Sequence, residues 1–304
     1  MADSYNFSNT EYRRKLRIHS VIRLIVCILL TVISLLPIYI ILINATRANA
    51  DIISNGISFL PGTNIIENFK NMTDPSYANG VYYRIFNVLV GYRNSLFISI
   101  SATILTVFFS AMTAYGLSVY DFKGKKFATT FILLVMMVPS QVVSTGFLEF
   151  MASLKLLNNY IPLIIPAIAA PATVFFMLQY MKSSFPLDIV EAARIDGASK
   201  PRILTKITIP MMAPSITICT FLTLTNSFKL FDQNLALTNG MPIDFTSGVA
   251  VKKTQMLALD IYNTFYANNN FRGVGQAKAV VFFVVVAGIA LLQLYFTRKR
   301  EVQQ

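Results

Sequence analysis

The feature that most constrains this chain is a set of six long windows without Asp, Glu, Lys or Arg. They are residues 24–46, 94–120, 127–148, 156–181, 207–228 and 279–297. A helix crosses a bilayer core of about 30 Å with about 20 apolar residues, and all six windows fit that length. In hydrocarbon the backbone must satisfy its own hydrogen bonds within each segment, which favours helices. The windows predict an all-α polytopic membrane protein with six transmembrane helices.

The charged residues that remain predict the orientation of these helices. Lys and Arg concentrate in residues 1–23, 121–126, 182–206 and 298–304. Basic residues in short segments mark the cytoplasmic side, so both termini are expected in the cytoplasm, with longer extracytoplasmic loops at 47–93 and 229–278. We therefore divide the chain into a basic tail (1–23), a membrane domain (24–297) and a second tail (298–304). Because the net charge of +12 follows membrane topology, nucleic acid is not an expected partner.

The sequence supplies few groups for chemistry. Only 13% of the residues are charged, where a soluble domain carries about 25%. Cys27 and Cys219 fall in apolar runs, and His19 is the single histidine, so we predict no metal site. Neither an HExxH pattern nor a GxxxxGK[ST] phosphate-binding loop occurs. We predict no catalytic residue, and any use of ATP would require a separate chain.

Residues 183–214, between the fourth and fifth windows, predict a helix–turn–helix. Pro186 suits the first position of a helix, and Val190 lies on its apolar stripe. Gly197 supplies a break, because glycine adopts a left-handed conformation at little cost. A second short helix can begin near Pro201. Periodicity alone would also suit a helix lying in the membrane interface.

The residues of this loop resemble a known signature. It runs through Glu191-Ala192-Ala193, Gly197, Ile207, Ile209 and Pro210, with Pro186, Asp196, Ala198 and Pro214 around it. This pattern resembles the EAA motif of binding-protein-dependent ABC importer permeases. Its one departure is Ile209, where leucine is usual, and the exchange keeps the volume and apolar character.

The resemblance implies a type I ABC importer permease architecture. In that family the loop forms a coupling helix that docks in a cleft of an ATP-binding subunit. Closure of two such subunits on ATP moves two permeases from the inward-facing to the outward-facing state. The docking residues implied here are Glu191, Ala192, Ala193, Asp196, Gly197 and Ala198.

The same resemblance implies the surroundings of the chain. The expected partners are a second permease, two ATP-binding subunits that hold ATP and magnesium, an extracytoplasmic sugar-binding protein and membrane lipid. The chain itself is expected to bind no cofactor and to catalyse no reaction. Its expected location is the prokaryotic plasma membrane, which it crosses several times.

Further motifs are similar to carbohydrate-uptake permeases, which implies a sugar as cargo, a di- or oligosaccharide. Residues 36–37, 60–61, 94–96, 114–116, 122–125 and 138–141 look like the second permease of a maltose-type pair. Residues 228–232 and 237–242 are more similar to the first permease, so the role within the pair stays open. For a path lined by hydroxyl, amide and aromatic groups, the candidates are Asn226, Ser227, Phe228, Gln233, Asn94 and Gln141.

Two alternatives remain. One is an importer permease for another solute, such as a peptide or polyamine. The other is an ion-coupled secondary carrier, which the absence of ionisable residues from the six windows disfavours. Prolines in the windows, including Pro37 and Pro139, are expected to kink or open their helices.

Overall fold

A computed structural model describes residues 2–74, 76–77, 88–185, 187–246, 249–266 and 271–298. The first helices are α1 (Ala2–Ala45), α2 (Asn49–Asn55), α3 (Ile65–Thr73), α4 (Val88–Val119), α5 (Lys125–Met136), α6 (Ser140–Ser153) and α7 (Ile161–Ile164). After a 3₁₀ turn at Ile165–Ile168 come α8 (Pro171–Ser184), α9 (Leu187–Ile195) and α10 (Lys200–Ile203). A π turn at Leu204–Thr208 leads into α11 (Ile209–Phe228) and α12 (Asp232–Leu237). Strands β1 (Ile243–Thr246) and β2 (Val249–Lys252) form an antiparallel hairpin, followed by α13 (Leu257–Phe265) and α14 (Arg272–Arg298).

Five helical stretches within the described residues are long and apolar enough to cross a membrane. They are Arg14–Ala45, Val88–Val119, Ile161–Ser184, Lys200–Phe228 and Arg272–Arg298. These stretches coincide with the first, second, fourth, fifth and sixth charge-free windows. The prediction of a mostly helical, multi-pass membrane protein is therefore confirmed in its coarse form.

The third window, 127–148, is not one long helix. It is divided between α5 and α6, of 12 and 14 residues, and each is shorter than a bilayer crossing requires. The break lies at Pro139, which is extended (φ −61°, ψ 130°) and directly precedes α6. Proline has no N–H to continue the preceding helix, so a single helix through this window was the wrong expectation. The predicted interruption at Pro139 itself is confirmed.

The two halves of this broken segment nevertheless connect opposite ends of the bundle. Ile132 of α5 packs on the same buried cluster as Leu117 near the end of α4. Met151 of α6 belongs to a different cluster, with Met256 just before α13. The segment therefore runs from the end where α4 stops to the end where α13 begins.

Three helices form the centre of the bundle. Helix α4 packs on α8 and α11, and α8 also contacts α11. Helix α14 lies beside α11 and carries α1 on its outer side. We call the end at which α4 and α8 stop the basic end, and the other the opposite end. Because α1 ends beside the start of α14 at the opposite end, α1 begins and α14 finishes at the basic end.

Two helices extend beyond their charge-free windows. Helix α1 begins at Ala2, so the basic residues before the first window belong to the same helix as that window. Helix α14 begins at Arg272, one to two turns before the sixth window, and so includes Lys278. That lysine side chain is fully buried, because it has a carboxylate partner described below.

Candidate functional site

The segment between α8 and α11, residues 187–203, forms the predicted helix–turn–helix, which we call the loop element. Helix α9 ends in a Schellman motif, in which two amide groups beyond the helix bond back to it. The Ala198 N–H donates to the Ala193 carbonyl at 2.9 Å, and the Gly197 N–H donates to the Arg194 carbonyl at 3.1 Å. Gly197 occupies the left-handed position with φ +76°, so the predicted break is confirmed with its physical reason.

The second half of the loop element is continuous with a membrane helix. Ser199 precedes α10 in an extended conformation, and Pro201 lies in the first turn. The chain then passes from α10 through the π turn at Leu204–Thr208 into α11 without leaving helical geometry. Lys200–Phe228 is therefore one continuous helical segment. A displacement of α10 would also displace α11.

One face of the loop element is anchored in the bundle. Val190 and Ile203 are 1% and 2% exposed, and both belong to the main buried cluster. That cluster joins the loop element to three helices through Ala114, Leu117, Met177, Leu178, Met181, Phe185, Met212 and Cys219. Ala193 and Ala198, the two residues joined by the Schellman bond, pack against it as well. The loop element is thus packed directly on α4, α8 and α11.

The other face of α9 is exposed and chemically mixed. Asp188, Glu191 and Ala192 are exposed, and Ile195 is 86% exposed. Their spacing of three, four and seven residues places them on one side of a helix. The exposed face of α9 therefore combines a large apolar side chain with two carboxylate side chains.

The structure separates the six predicted docking residues into two groups. Glu191, Ala192, Asp196 and Gly197 are exposed, whereas Ala193 and Ala198 are partly buried and support the turn. Pro186 and the side chain of Leu187 lie outside the described part of the chain. Asp188 and Ile195, which were not among the predicted docking residues, lie on the same exposed face at helical spacing from Glu191.

Arg194 is held against the bundle. Its guanidinium carbon lies 5.9 Å from the centre of the Tyr120 ring, just beyond the end of α4. A cation over an aromatic face is worth about 0.5–1 kcal/mol at an exposed site. This contact ties the end of α9 to the connection between α4 and α5, at the same end of the molecule.

A groove of about 660 Å³ runs between α4 and α11 towards the loop element. Its lining is mostly apolar and extends from Thr103 and Thr220 to Tyr120 and Leu204. Five of the six residues predicted to line a sugar path are not among its lining residues, and the side chain of the sixth, Gln141, lies outside the described part of the chain. The hydroxyl groups of this groove come instead from threonine and tyrosine, whose helical positions carried no distinctive signal in the sequence.

The predicted sugar-path residues differ in their exposure. Asn226 and Gln233 are exposed, whereas Ser227 and Phe228 are buried. Gln141 lies in the first turn of α6, and its side chain is outside the described set.

Asn94, the sixth predicted path residue, makes hydrogen bonds within the protein. Its amide nitrogen donates to the carbonyl oxygens of Lys253 and Gln255 at 2.8 and 2.9 Å, and its oxygen accepts from the Tyr160 hydroxyl at 2.9 Å. The adjacent Ser95 hydroxyl accepts from the Leu257 N–H at 2.9 Å. Asn94 therefore fixes the segment after β2 to the start of α4.

A buried ion pair holds the same end of the molecule. Lys278 of α14 lies 2.8 Å from a carboxylate oxygen of Asp260 in α13, and both side chains have no exposed surface. Lys278 also donates to the Thr264 hydroxyl at 3.0 Å. Burial raises the pKa of the Asp260 carboxyl, and the Lys278 ammonium opposes that rise. The window analysis missed this pair because Lys278 served only as the boundary of the sixth window.

Together, the long apolar helices and the loop element define the class of the protein, a polytopic membrane protein with a helix–turn–helix at its basic end. The model of the family described as "Binding-protein-dependent transport system inner membrane component" matches residues 106–302. The chain belongs to this family of transport permeases, as its resemblance to importer permeases predicted.

Individual relatives indicate which kind of permease the chain resembles. The chain is 34% identical to the arabinooligosaccharides transport system permease protein AraQ of Halalkalibacterium halodurans, over 66% of this chain and 68% of that protein. It is 45% identical to the probable starch degradation products permease AmyD of Thermoanaerobacterium thermosulfurigenes, over 40% of this chain and 38% of that protein. It is also 31% identical to the sn-glycerol-3-phosphate permease UgpE of Salmonella typhi, over 66% and 69%. These names support a carbohydrate ABC importer permease.

A solved structure shares the fold. The bacterial ABC transporter that imports the acidic polysaccharide alginate superposes with a TM-score of 0.70, over 92% of this chain and 97% of that chain. The sequences are 20% identical. The likeness therefore concerns the architecture, and this chain shares the fold of that transporter chain.

Proposed function

We propose that this chain is a transmembrane subunit of an ATP-driven importer and that the loop element is where an ATP-hydrolysing subunit docks. The observation that carries the proposal is the division of α9 into two faces. Val190 is buried in the bundle, whereas Glu191 and Ile195 project from it. A partner bound to the exposed face would move α9, and the buried face would move the membrane helices with it.

The contact would combine shape and charge. The small side chain of Ala192 lets the exposed face of α9 approach a partner closely. Ile195 offers an apolar side chain that a cleft in the partner would bury. Asp188 and Glu191 lie on the same face and offer negative charge to a basic partner. Because α10 and α11 are continuous, movement of the partner would change the walls of the groove between α4 and α11.

The remaining parts of the assembly follow from this role. We infer a second permease, two subunits that hold ATP and magnesium, and an extracytoplasmic binding protein that delivers the cargo. We also infer six crossings of the plasma membrane, with α5 and α6 together as the third and the basic end in the cytoplasm. The connection of the two ends by α5 and α6 supports six crossings, and the positions of the basic residues support the orientation.

The docking role is tested in the purified complex by charge and apolar substitutions on α9. Ile195→Asp and Glu191→Lys should abolish cargo-stimulated ATP hydrolysis and release the ATP-hydrolysing subunit. Asp121→Lys is the matched control, because Asp121 is 99% exposed at the same end and pairs with Lys125 at the start of α5. Full coupling in both α9 variants would refute docking at this surface.

For the cargo, we propose a di- or oligosaccharide, since the named relatives include permeases for arabinooligosaccharides and starch degradation products. The likeness to a glycerol-3-phosphate permease keeps a non-sugar solute as the alternative. Uptake of labelled oligosaccharides and glycerol 3-phosphate by vesicles containing the complex distinguishes the two. Uptake that survives ATP depletion but collapses with an ion gradient would instead identify a secondary carrier.

A further inference from the structure

Helix α3, at the opposite end of the molecule, has three chemically different sides. The side packed against the protein carries Asn68, Asn71 and Met72, all buried. A second side carries Ile65, Ile66 and Phe69, which are 54%, 66% and 51% exposed. The third carries the exposed Glu67 and Lys70. The polar asparagines thus face the protein, while the large apolar side chains of this helix face outwards.

The depth of α3 follows from its contacts with α1. The Asn68 amide nitrogen donates to the carbonyl oxygens of Ala45 and Arg47, both at 2.9 Å. At 1.5 Å per residue, Ala45 lies about 33 Å along the helix from Arg23, the last basic residue before the first window. The hydrocarbon core of a bilayer is about 30 Å thick. With Arg23 at one boundary of the core, α3 lies at the other.

The exposed apolar side of α3 continues the exposed apolar surface of α1. Leu42 near the end of α1 is 45% exposed, and Leu60, in the connection to α3, is 75% exposed. The Tyr39 hydroxyl donates to the Phe59 carbonyl at 2.7 Å, which joins that connection to α1. Tyrosine is enriched where hydrocarbon meets the headgroups, because its ring is apolar and its hydroxyl is polar. The apolar surface therefore extends from the first membrane helix onto α3.

We propose that α3 lies flat in the membrane interface, with Ile65, Ile66 and Phe69 among the lipid acyl chains. Glu67 and Lys70 then face the headgroups and water. A helix with one apolar and one charged side takes this position because it satisfies both media. With the basic end in the cytoplasm, as proposed above, the lipid belongs to the outer leaflet.

Such a helix would fix the depth of neighbouring elements. A side-chain atom added at Gly273 of α14 would lie 2.8 Å from the Arg47 carbonyl oxygen and 3.0 Å from the Asn68 amide, so these segments meet closely. Helix α3 thereby connects the surface of the hydrocarbon core to the last residues of α1 and the first turn of α14. It would act as a fixed support at the opposite end while the basic end moves.

The chain has no tryptophan, so a single introduced tryptophan reports on its own surroundings. We would place it at Phe69 or, as the matched control, at Glu67 on the charged side of the same helix. The full chain is reconstituted in phosphatidylcholine vesicles with or without brominated acyl chains. Phe69→Trp should emit at shorter wavelength and lose most of its fluorescence to brominated lipid. Glu67→Trp should be quenched mainly by acrylamide from the aqueous phase.

Two results would overturn the proposal. Quenching of Phe69→Trp by acrylamide as strong as that of Glu67→Trp would show that this side of α3 faces water. Protection of Phe69→Trp from both quenchers would show that protein, such as a second copy of the chain, covers it. The measurement needs neither ATP nor cargo, so it separates this proposal from the docking role of the loop element.

Discussion

Gly197→Ala tests whether the shape of the turn after α9 matters for coupling. Gly197 has φ +76°, and an added Cβ would meet no atom within 4 Å. The cost of alanine therefore comes from the backbone and amounts to about 1–2 kcal/mol for the left-handed conformation. That cost lowers the population of the native turn relative to alternatives about 5- to 30-fold. Cargo-stimulated ATP hydrolysis by the reconstituted complex should fall, while the chain still inserts in the membrane.

The order of a substitution series makes the test specific. Asparagine adopts the left-handed region more readily than alanine, so Gly197→Asn should retain more activity than Gly197→Ala. Gly197→Pro should abolish coupling, because proline fixes φ near about −65°. Gly124 is the matched control, since it also has positive φ (+101°) and open space around it but lies in the turn before α5. Unchanged coupling in Gly197→Ala, or an equal loss in Gly124→Ala, would refute the reasoning.

Three further predictions concern the opposite end of the molecule. Lys278→Met leaves the Asp260 carboxylate buried without its lysine, so the free energy of unfolding should fall by about 3–5 kcal/mol and Tm in detergent should drop strongly. Asn94→Ala removes the donor from two backbone carbonyl groups and should cost about 1–3 kcal/mol, whereas Asn226→Ala, at an exposed position, should leave Tm unchanged. Gly273→Ala should lower Tm, because its Cβ would lie 2.8 Å from a backbone oxygen of the turn after α1.

Matched variants show whether these losses have the stated causes. Asp244→Asn alters the half-exposed pair with Lys253 and should change stability by about 0–1 kcal/mol. Gly116→Ala introduces a Cβ with no atom within 4 Å and should be tolerated. A Tm for Lys278→Met equal to that of Asp244→Asn would contradict the role assigned to the buried pair. Equal Tm values for Gly273→Ala and Gly116→Ala would contradict the close approach at α14.

The sequence by itself determined five of the six expected membrane helices and the loop element. Long charge-free windows leave few alternatives to helices in lipid, because the backbone cannot bond to water there. Gly197 marked the turn correctly, since a left-handed position strongly favours glycine. Val190 was placed on the buried side from helical spacing alone. These features depend on local conformation and on composition, so the local sequence is sufficient to predict them.

Only the tertiary structure decided which polar residues are free to meet a ligand. Asn94 looked suited to a sugar path, yet its amide is occupied by carbonyl groups about 160 positions away in the chain. Lys278 looked like the boundary of a membrane helix, yet it is buried against Asp260 from a separate helix. Hydrogen bonds and ion pairs of this kind join distant segments, so spacing in the sequence does not reveal them. The exposure of Ile195 likewise depends on which side of α9 the bundle covers.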